Sequence, residues 1–491
     1  MLKKFVLSTL LLSLCTFSFA QVINPGNFQA RDETELIEFE FVLPPRAYDF
    51  KNSDLLVKWH VIIFDLLEQS NGYTPNVAAR SLAYINLAAY EAMLPGEPAY
   101  QSLSGQIQGY QRPPEYDIDS TNFSTPVAIN NALFVMIDRL FPSAPYIYME
   151  RVWEMHDSIN TVLSQHMDAF TFQKSKNYGY SMADLIFEYA KTDGGHAAFS
   201  RSYDMNYRLP ACEACFEIHR QADVENVGPL HPKWQNNRTF MAENNTDFDL
   251  KPKVPFSKYK DSPFYKQAMA VYEESKLVNP GNIKYVIANF WDDAAGFTYT
   301  APGHSAAILT LHLRNEPTEL SHAAELYTRL CLGLNDAIIC SWKSKYKHNL
   351  IRPVAYINRY IDSSWSPKLL TPPFPEFPSG HSVQSAAMAT ILTATVGDSV
   401  HFTDYSKFWV GKPREFDSFW DAANETSVSR FYGGIHFMDA LNQGQDMGRL
   451  VGQNILKLKF KKEVIQEAPS EPNIGVPSDN TEESSEIDAD K

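Results

Sequence analysis

The chain has 491 residues, 44% of them hydrophobic and 21% charged, with 43 Lys and Arg against 58 Asp and Glu for a net charge of −15. That length is enough for one large or two medium domains with a sizeable core, and the composition is that of a globular protein. The acidic balance argues against nucleic acid or an anionic membrane surface as a partner, although it leaves room for a local basic pocket.

Met1 to Ala20 reads as a secretory signal peptide. Lys3 and Lys4 precede an apolar run, Phe5 to Leu14, and small residues at Ser18 and Ala20 precede Gln21. A periplasmic or secreted mature protein is expected. Leu14 stands where a lipoprotein signal places a small residue before its cysteine, so lipidation at Cys15 is not expected. Beyond this segment no apolar run reaches about 18 residues, so no transmembrane segment is expected in the mature chain.

Residues 21–191 form an N-terminal region that is irregular to about Asn52 and helical after it. Apolar residues recur at three and four over Leu55 to Leu67, Ala78 to Met93, Pro126 to Leu140 and Tyr146 to Met167. Residues 192–261 are rich in Asn, Pro and charge and read as a long connection. Cys212-Glu-Ala-Cys215 lies there and predicts a local disulfide in an oxidising compartment, with a redox or metal role as the alternative. It is not a haem-attachment motif, because Phe216 stands where histidine is needed. Residues 262–460 are helical again. Cys331 and Cys340 fall on one helix about 13 Å apart, too far to bridge, and read as buried thiols. The segment 461–491 holds three lysines and nine acids and reads as a disordered acidic tail. Strand-like alternation is scarce, so the fold class is all-α.

Three segments of the second helical region carry chemistry. The first runs from Lys345 to Arg352 and Pro353. A helix is predicted over Ser321 to His348, and seven residues are about two turns, which puts Lys345 and Arg352 on one face. Pro353 disfavours helix at Arg352. The second is Pro378-Ser379-Gly380-His381, ahead of an Ala-rich helix from Ser382 to about Val396. Ser379 suits an N-cap, Gly380 permits close approach to the backbone, and the helix start is an anion site. The third is Ser429-Arg430 followed by His436, which opens a helical run to about Leu456. Gly433-Gly434 breaks the preceding helix. Asp439, three residues after His436, is placed to hold one imidazole nitrogen. Taken singly, these are a solvated helix face, an ordinary helix-start turn and a structural histidine. Together they give three cations, a helix N-terminus and two histidines, which suits a tetrahedral oxyanion.

The combination resembles the tripartite signature of the superfamily of type 2 phosphatidic acid phosphatases and vanadium-dependent haloperoxidases: K-x6-R-P, P-S-G-H and S-R-x5-H-x3-D. Lys345, Arg352, Pro353, Pro378 to His381, Ser429, Arg430 and His436 match it in position. The acid departs from it, since Asp439 follows His436 by three residues and Ala440 stands at the fourth.

The resemblance implies two packed helical bundles with the oxyanion site in the C-terminal one. Three features favour the haloperoxidase branch. They are the missing membrane domain, a chain about twice the length of the compact acid phosphatases, and Trp342 and Phe374, which resemble aromatics of the fungal chloroperoxidases. On that branch Lys345, Arg352, Ser379, Gly380 and Arg430 bind vanadate, His436 ligates the metal, and His381 is the acid–base. Asp439 assists His436, Trp342 and Phe374 line a halide or peroxide pocket, and phosphate competes with vanadate. Hydrogen peroxide and halide are the expected substrates. The alternatives are a soluble acid phosphatase acting on phosphate esters with His436 as nucleophile, and a non-catalytic protein with a relic pocket. Asp292-Asp293 is a candidate carboxylate source behind Arg430, and the sequence leaves the placement of His304 open.

Overall fold

The computed structural model describes residues 50, 52–219, 228–246, 250–407, 409 and 411–463. The signal peptide expected at 1–20, and all but the first three residues of the tail expected at 461–491, lie outside them.

The apolar spacing of the first half yields five helices. Helix α1 (Asp54–Gln69) buries Leu55, Leu56, Trp59, Ile63 and Leu66. Helix α2 (Pro75–Met93) opens on Thr74, whose side chain accepts the Val77 N–H, with Pro75 in the first turn. Nearly every residue of α2 is buried, which makes it a central helix. Helices α3 (Thr125–Leu140), α4 (Tyr146–Ser164) and α5 (Ala169–Lys191) complete this bundle, with α3 packed against α2, α4 and α5. Asp168 caps α5 by accepting the Phe170 and Thr171 N–H groups, so the helix predicted to run to Met167 ends at Ser164 and a new one begins.

Among its described residues the connection carries short turns and α6 (Ala242–Thr246). Its Cys212–Cys215 disulfide is present. The loop adds a bridge to the chain just ahead of Arg352, where the Ile351 N–H donates to Ala214 O (2.9 Å) and the Phe216 N–H to Asn349 O (2.7 Å). Cys331 and Cys340 are free and buried.

The second bundle contains α7 (Pro263–Leu277), α8 (Ile283–Phe290), α9 (Thr300–Asn315), α10 (Leu320–His348), α11 (Pro353–Tyr360), α12 (Gly380–Thr395), α13 (Phe419–Tyr432) and α14 (Met438–Ile455). A hairpin of β1 (Phe402–Asp404) and β2 (Arg414–Phe416), in register Phe402 to Phe416, is the only sheet among the described residues. Helix α12 packs against α10, α13 and α14, while α10 also lies on α2. The two bundles therefore share one core, which runs from Phe50 to Phe460. No described helix is long and apolar enough to cross a membrane.

One expectation needs correction here. Lys345 and Arg352 do not share a helix face. Asn349 takes the left-handed conformation (φ 46°) and closes α10 at His348, and Arg352 becomes the N-cap of α11. The two cations stand on either side of this corner.

Candidate active site

Each cradle residue sits where a helix starts or stops. Lys345 is in the last turn of α10, Arg352 caps α11, and Ser379 caps α12 with Gly380 as its first residue. Arg430 is in the last turn of α13, and His436 lies in the link between α13 and α14. That link turns sharply because Gly434 adopts φ 77° and a Cβ on Gly433 would meet Leu369 at 2.5 Å.

Lys345, Arg352 and Arg430 are buried to 0, 1 and 1% exposure. Backbone carbonyls hold them. The Lys345 ammonium donates to Pro375 O (3.0 Å), Glu376 O (3.2 Å) and Pro378 O. The Arg352 Nε donates to Phe374 O (3.0 Å) and its Nη1 to Ile435 O (2.8 Å). Arg430 donates to the carbonyls of Ala288 and Trp291 and to Ser429 Oγ. Carbonyl dipoles fix these side chains without cancelling their charge. Burial, together with the nearby Arg352 charge, pulls Lys345 well below its ordinary pKa; burial likewise brings Arg352 down to about 10.

The ring of Phe374 lies 5.0 Å from both Lys345 Nζ and Arg352 Cζ, a cation–π contact to each. Trp342 packs on Phe374 with ring centroids 5.0 Å apart, and its indole N–H donates to Leu230 O (3.3 Å). The two aromatics form one wall, with Phe374 only partly buried.

His436 is not held by Asp439. Its Nδ1 lies 2.9 Å from Glu376 Oε1, which also accepts the Phe437 N–H (2.9 Å). Asp439 faces away, accepting the Lys253 and Val254 N–H groups and Gln443 Nε2. The reason is the helix boundary: α14 begins at Met438, so His436 stands outside it and the i+3 neighbour relation does not apply. Glu376 is fully buried, and burial pushes its carboxyl up to about 7 despite the Phe437 N–H, Arg352 and Lys345. This partner leaves Nε2 of His436 facing Arg352 Nη1 at 3.0 Å. Burial and the surrounding cations hold His436 well below its ordinary pKa, so the ring is neutral with a lone pair to offer.

His381 is the second residue of α12. Its Nε2 is buried, has no hydrogen-bond partner among the described residues, and stands 3.7 Å from Asp293 Oδ2. Burial and Arg430 bring its pKa down to about 3. Of the Asp pair, Asp292 Oδ1 lies 3.8 Å from Arg430 Nη1, and burial pushes Asp292 up to about 6. Asp293 instead accepts from His304. Glu376 was missed by sequence reasoning, although an acid inside the apolar, Pro-rich run Phe374 to Pro378 was its one visible signal.

The donor set fits a tetrahedral oxyanion such as vanadate or phosphate. Arg352 Nη2 and Ser341 Oγ are buried without partners among the described residues. A Cβ on Gly380 would lie 3.9 Å from Lys345 Cε, Ser341 Oγ and Trp342 Cζ3, so the glycine keeps that space open. The Ser379 hydroxyl accepts the Ser382 N–H (3.4 Å) as N-cap and retains its own proton to donate.

The family model of the VCPO second helical-bundle domain matches residues 325–465. A bacterial vanadium-dependent iodoperoxidase superposes with a TM-score of 0.75 at 30% identity, over 85% of this chain and 99% of that one. Holo and apo forms of a bacterial vanadium-dependent chloroperoxidase give TM-scores of 0.59 and 0.56, each at 16% identity over 79% of this chain and 92% and 97% of theirs. At that identity they show the shared fold alone. A comparison with curated proteins gave no match. The chain belongs to the vanadium-dependent haloperoxidases, within the superfamily they share with the type 2 phosphatidic acid phosphatases.

Proposed function

We propose that the protein oxidises halide with hydrogen peroxide at vanadate held on His436, and that iodide is the halide it turns over best. The observation that carries this reading is a buried three-cation cradle that closes on Nε2 of a neutral histidine, itself 3.0 Å from Arg352 Nη1. Iodide is favoured because the 30%-identical relative is an iodoperoxidase and iodide is the easiest of the three halides to oxidise.

Bound vanadate would supply the activation of hydrogen peroxide. The protein's own part follows from its atoms. Lys345, Arg352 and Arg430 neutralise the charge of the anion's oxygens, and the Ser379 hydroxyl and Gly380 N–H add hydrogen bonds. Glu376 holds the His436 proton on Nδ1, so that Nε2 is the ligand atom. His381, neutral in the anion-free cradle, accepts a proton from peroxide and returns it as water leaves; a bound anion raises its affinity for that proton. Trp342 and Phe374 give the halide a dry wall beside the cations.

The same cradle suits phosphate ester hydrolysis with His436 as nucleophile, so the test is paired. Protein loaded with orthovanadate is given peroxide with iodide, bromide or chloride, while vanadium-free protein is given a chromogenic phosphate ester. Vanadate-dependent iodide oxidation, suppressed by excess phosphate, is the expected result. Ester hydrolysis blocked by vanadate, with no halide oxidised, would assign the protein to phosphate chemistry.

A further inference from the structure

Behind His381 lies a second buried cluster, assembled from parts of the chain that are far apart in sequence. His304, on α9, places Nδ1 2.9 Å from Asp293 Oδ1 and Nε2 3.0 Å from Asp404 Oδ2. Asp293 follows α8, and Asp404 closes strand β1. All three are at most 4% exposed. A neutral imidazole has one N–H to donate, and two carboxylates at these distances call for two. The Trp291 ring stacks on His304 with centroids 4.6 Å apart, and Phe290 and Tyr299 close the remaining sides. Asp404 is fixed in turn, since its Oδ1 accepts the Tyr405 N–H (2.8 Å).

We propose that Asp404, His304 and Asp293 form a permanent ion triad, docked by the β1–β2 hairpin, whose task is to position His381. The other oxygen of Asp293 is the one that faces His381 Nε2 at 3.7 Å. The triad carries two carboxylates and one imidazolium. It therefore presents a net negative charge, through Asp293, to a ring that burial first, and then Arg430, His304 and Lys345, keep from holding a proton. Burial disfavours the imidazolium, but the two carboxylates outweigh it and raise His304 to about 10. The titratable and charged groups around His304 are Asp293, Asp404, His381 and Tyr299. Arg430 acts on Asp293 and His381, and Glu68 of α1 acts on Tyr299. Tyr299 stays neutral because burial raises it further. The role assigned to His381 rests on the proposed function; the charge state of the triad does not.

The first measurement needs no vanadate. Nitrogen NMR of the histidine-labelled, vanadium-free protein should show one imidazolium that keeps both ring protons to about pH 9, assigned by its loss in H304Q. In D404N that signal should titrate at least about one pH unit lower. In the vanadate-loaded enzyme D404N should lower kcat for iodide about tenfold or more and leave KM for peroxide and iodide within about threefold, as a positioning role requires. Phosphate affinity of the vanadium-free variant should stay within about threefold, because the cradle is untouched. A wild-type spectrum with no such imidazolium overturns the triad. So does a D404N protein with lowered thermal stability but unchanged kcat and unchanged titration, which would make the cluster purely structural. Wild-type protein lacking vanadate-dependent halide oxidation would remove the proposed function instead, and the titration would still decide the triad.

Discussion

Two buried arginines divide this molecule into what holds it together and what it does. Arg80, in the first bundle, is paired in bidentate fashion with Asp193 (2.7 and 3.1 Å) and donates to Ala190 O (2.6 Å). Arg352, in the second, is equally buried, yet its Nη1 and Nε hydrogen-bond to carbonyls and the His436 ring, and its Nη2 has no partner among the described residues. A buried charge that is fully paired is part of the structure. A buried charge held by dipoles and left uncancelled is part of a binding site, because an anion completes it.

The largest effect expected from this contrast is at His436. H436A should abolish vanadate retention and lower halide oxidation by about a thousandfold or more, while the melting temperature of the anion-free protein stays close to wild type. A variant that keeps vanadate and full activity would sink the assignment. Next come the arginines themselves. R80L strands Asp193 and should cost about 3–5 kcal/mol of stability, measured by denaturant titration, with cradle affinity for phosphate little changed. R352L should do the reverse. Its anion-free stability should fall less than that of R80L, because the cation it removes is hydrogen-bonded to carbonyls and a ring and not to a carboxylate, and its phosphate binding should be lost. Saturating phosphate should stabilise wild type by about 2.7 kcal/mol at a hundredfold excess over Kd, and R352L not at all. If the two variants behave alike, the distinction between the arginines has no functional content.

How much of this was legible in the sequence depends on how far apart the parts lie. The helices were legible from periodicity, and α10, α12 and α3 fall within two residues of expectation. The cradle was legible because its members cluster in three short segments with fixed spacing. Even there, spacing misled twice. Lys345 and Arg352 were read onto one helix face, whereas Asn349 turns the chain between them. Asp439 was read as the partner of His436 by helix spacing, whereas the helix starts two residues after the histidine. Glu376 stands 60 positions from His436, and its one local sign is an acid inside an apolar, Pro-rich run. Asp404 is 100 positions from His304 and reaches it only because a short hairpin folds over α9. Contacts of that range are tertiary facts, and one sequence does not carry them.

Glu376 offers the next test. E376A leaves the His436 Nδ1–H without its acceptor and frees the ring to turn or change tautomer. Partners of this kind are worth about 10- to 100-fold in metal affinity, so vanadate affinity should fall by that factor. E376Q, which retains an acceptor oxygen, should recover part of the loss. Equal losses in both variants would mean that the carboxylate charge, and not the hydrogen bond, holds His436 in place.

The smallest effect separates two histidines that are both buried to 1% exposure or less. His60 on α1 stacks on Tyr327 (3.6 Å) and has no carboxylate partner; burial lowers it to about 4. His304 lies between two carboxylates and is raised to about 10. The signs are opposite. A histidine whose folded pKa is depressed contributes stability above its unfolded value near 6.5, and that stability is lost as pH falls toward 4. One whose folded pKa is raised contributes fully below 6.5 and loses that contribution as pH rises toward 10. Each limb has a slope of at most about 1.4 kcal/mol per pH unit for one proton. Chemical denaturation across pH should therefore show H60N flattening the limb between about pH 4 and 6.5 and D404N changing the limb between about pH 6.5 and 10. If both variants altered the same limb, one of the two rings would carry the wrong charge in this account. The alkaline limb fixes the charge of His304, and the kcat of D404N decides whether that charge serves the fold or the site.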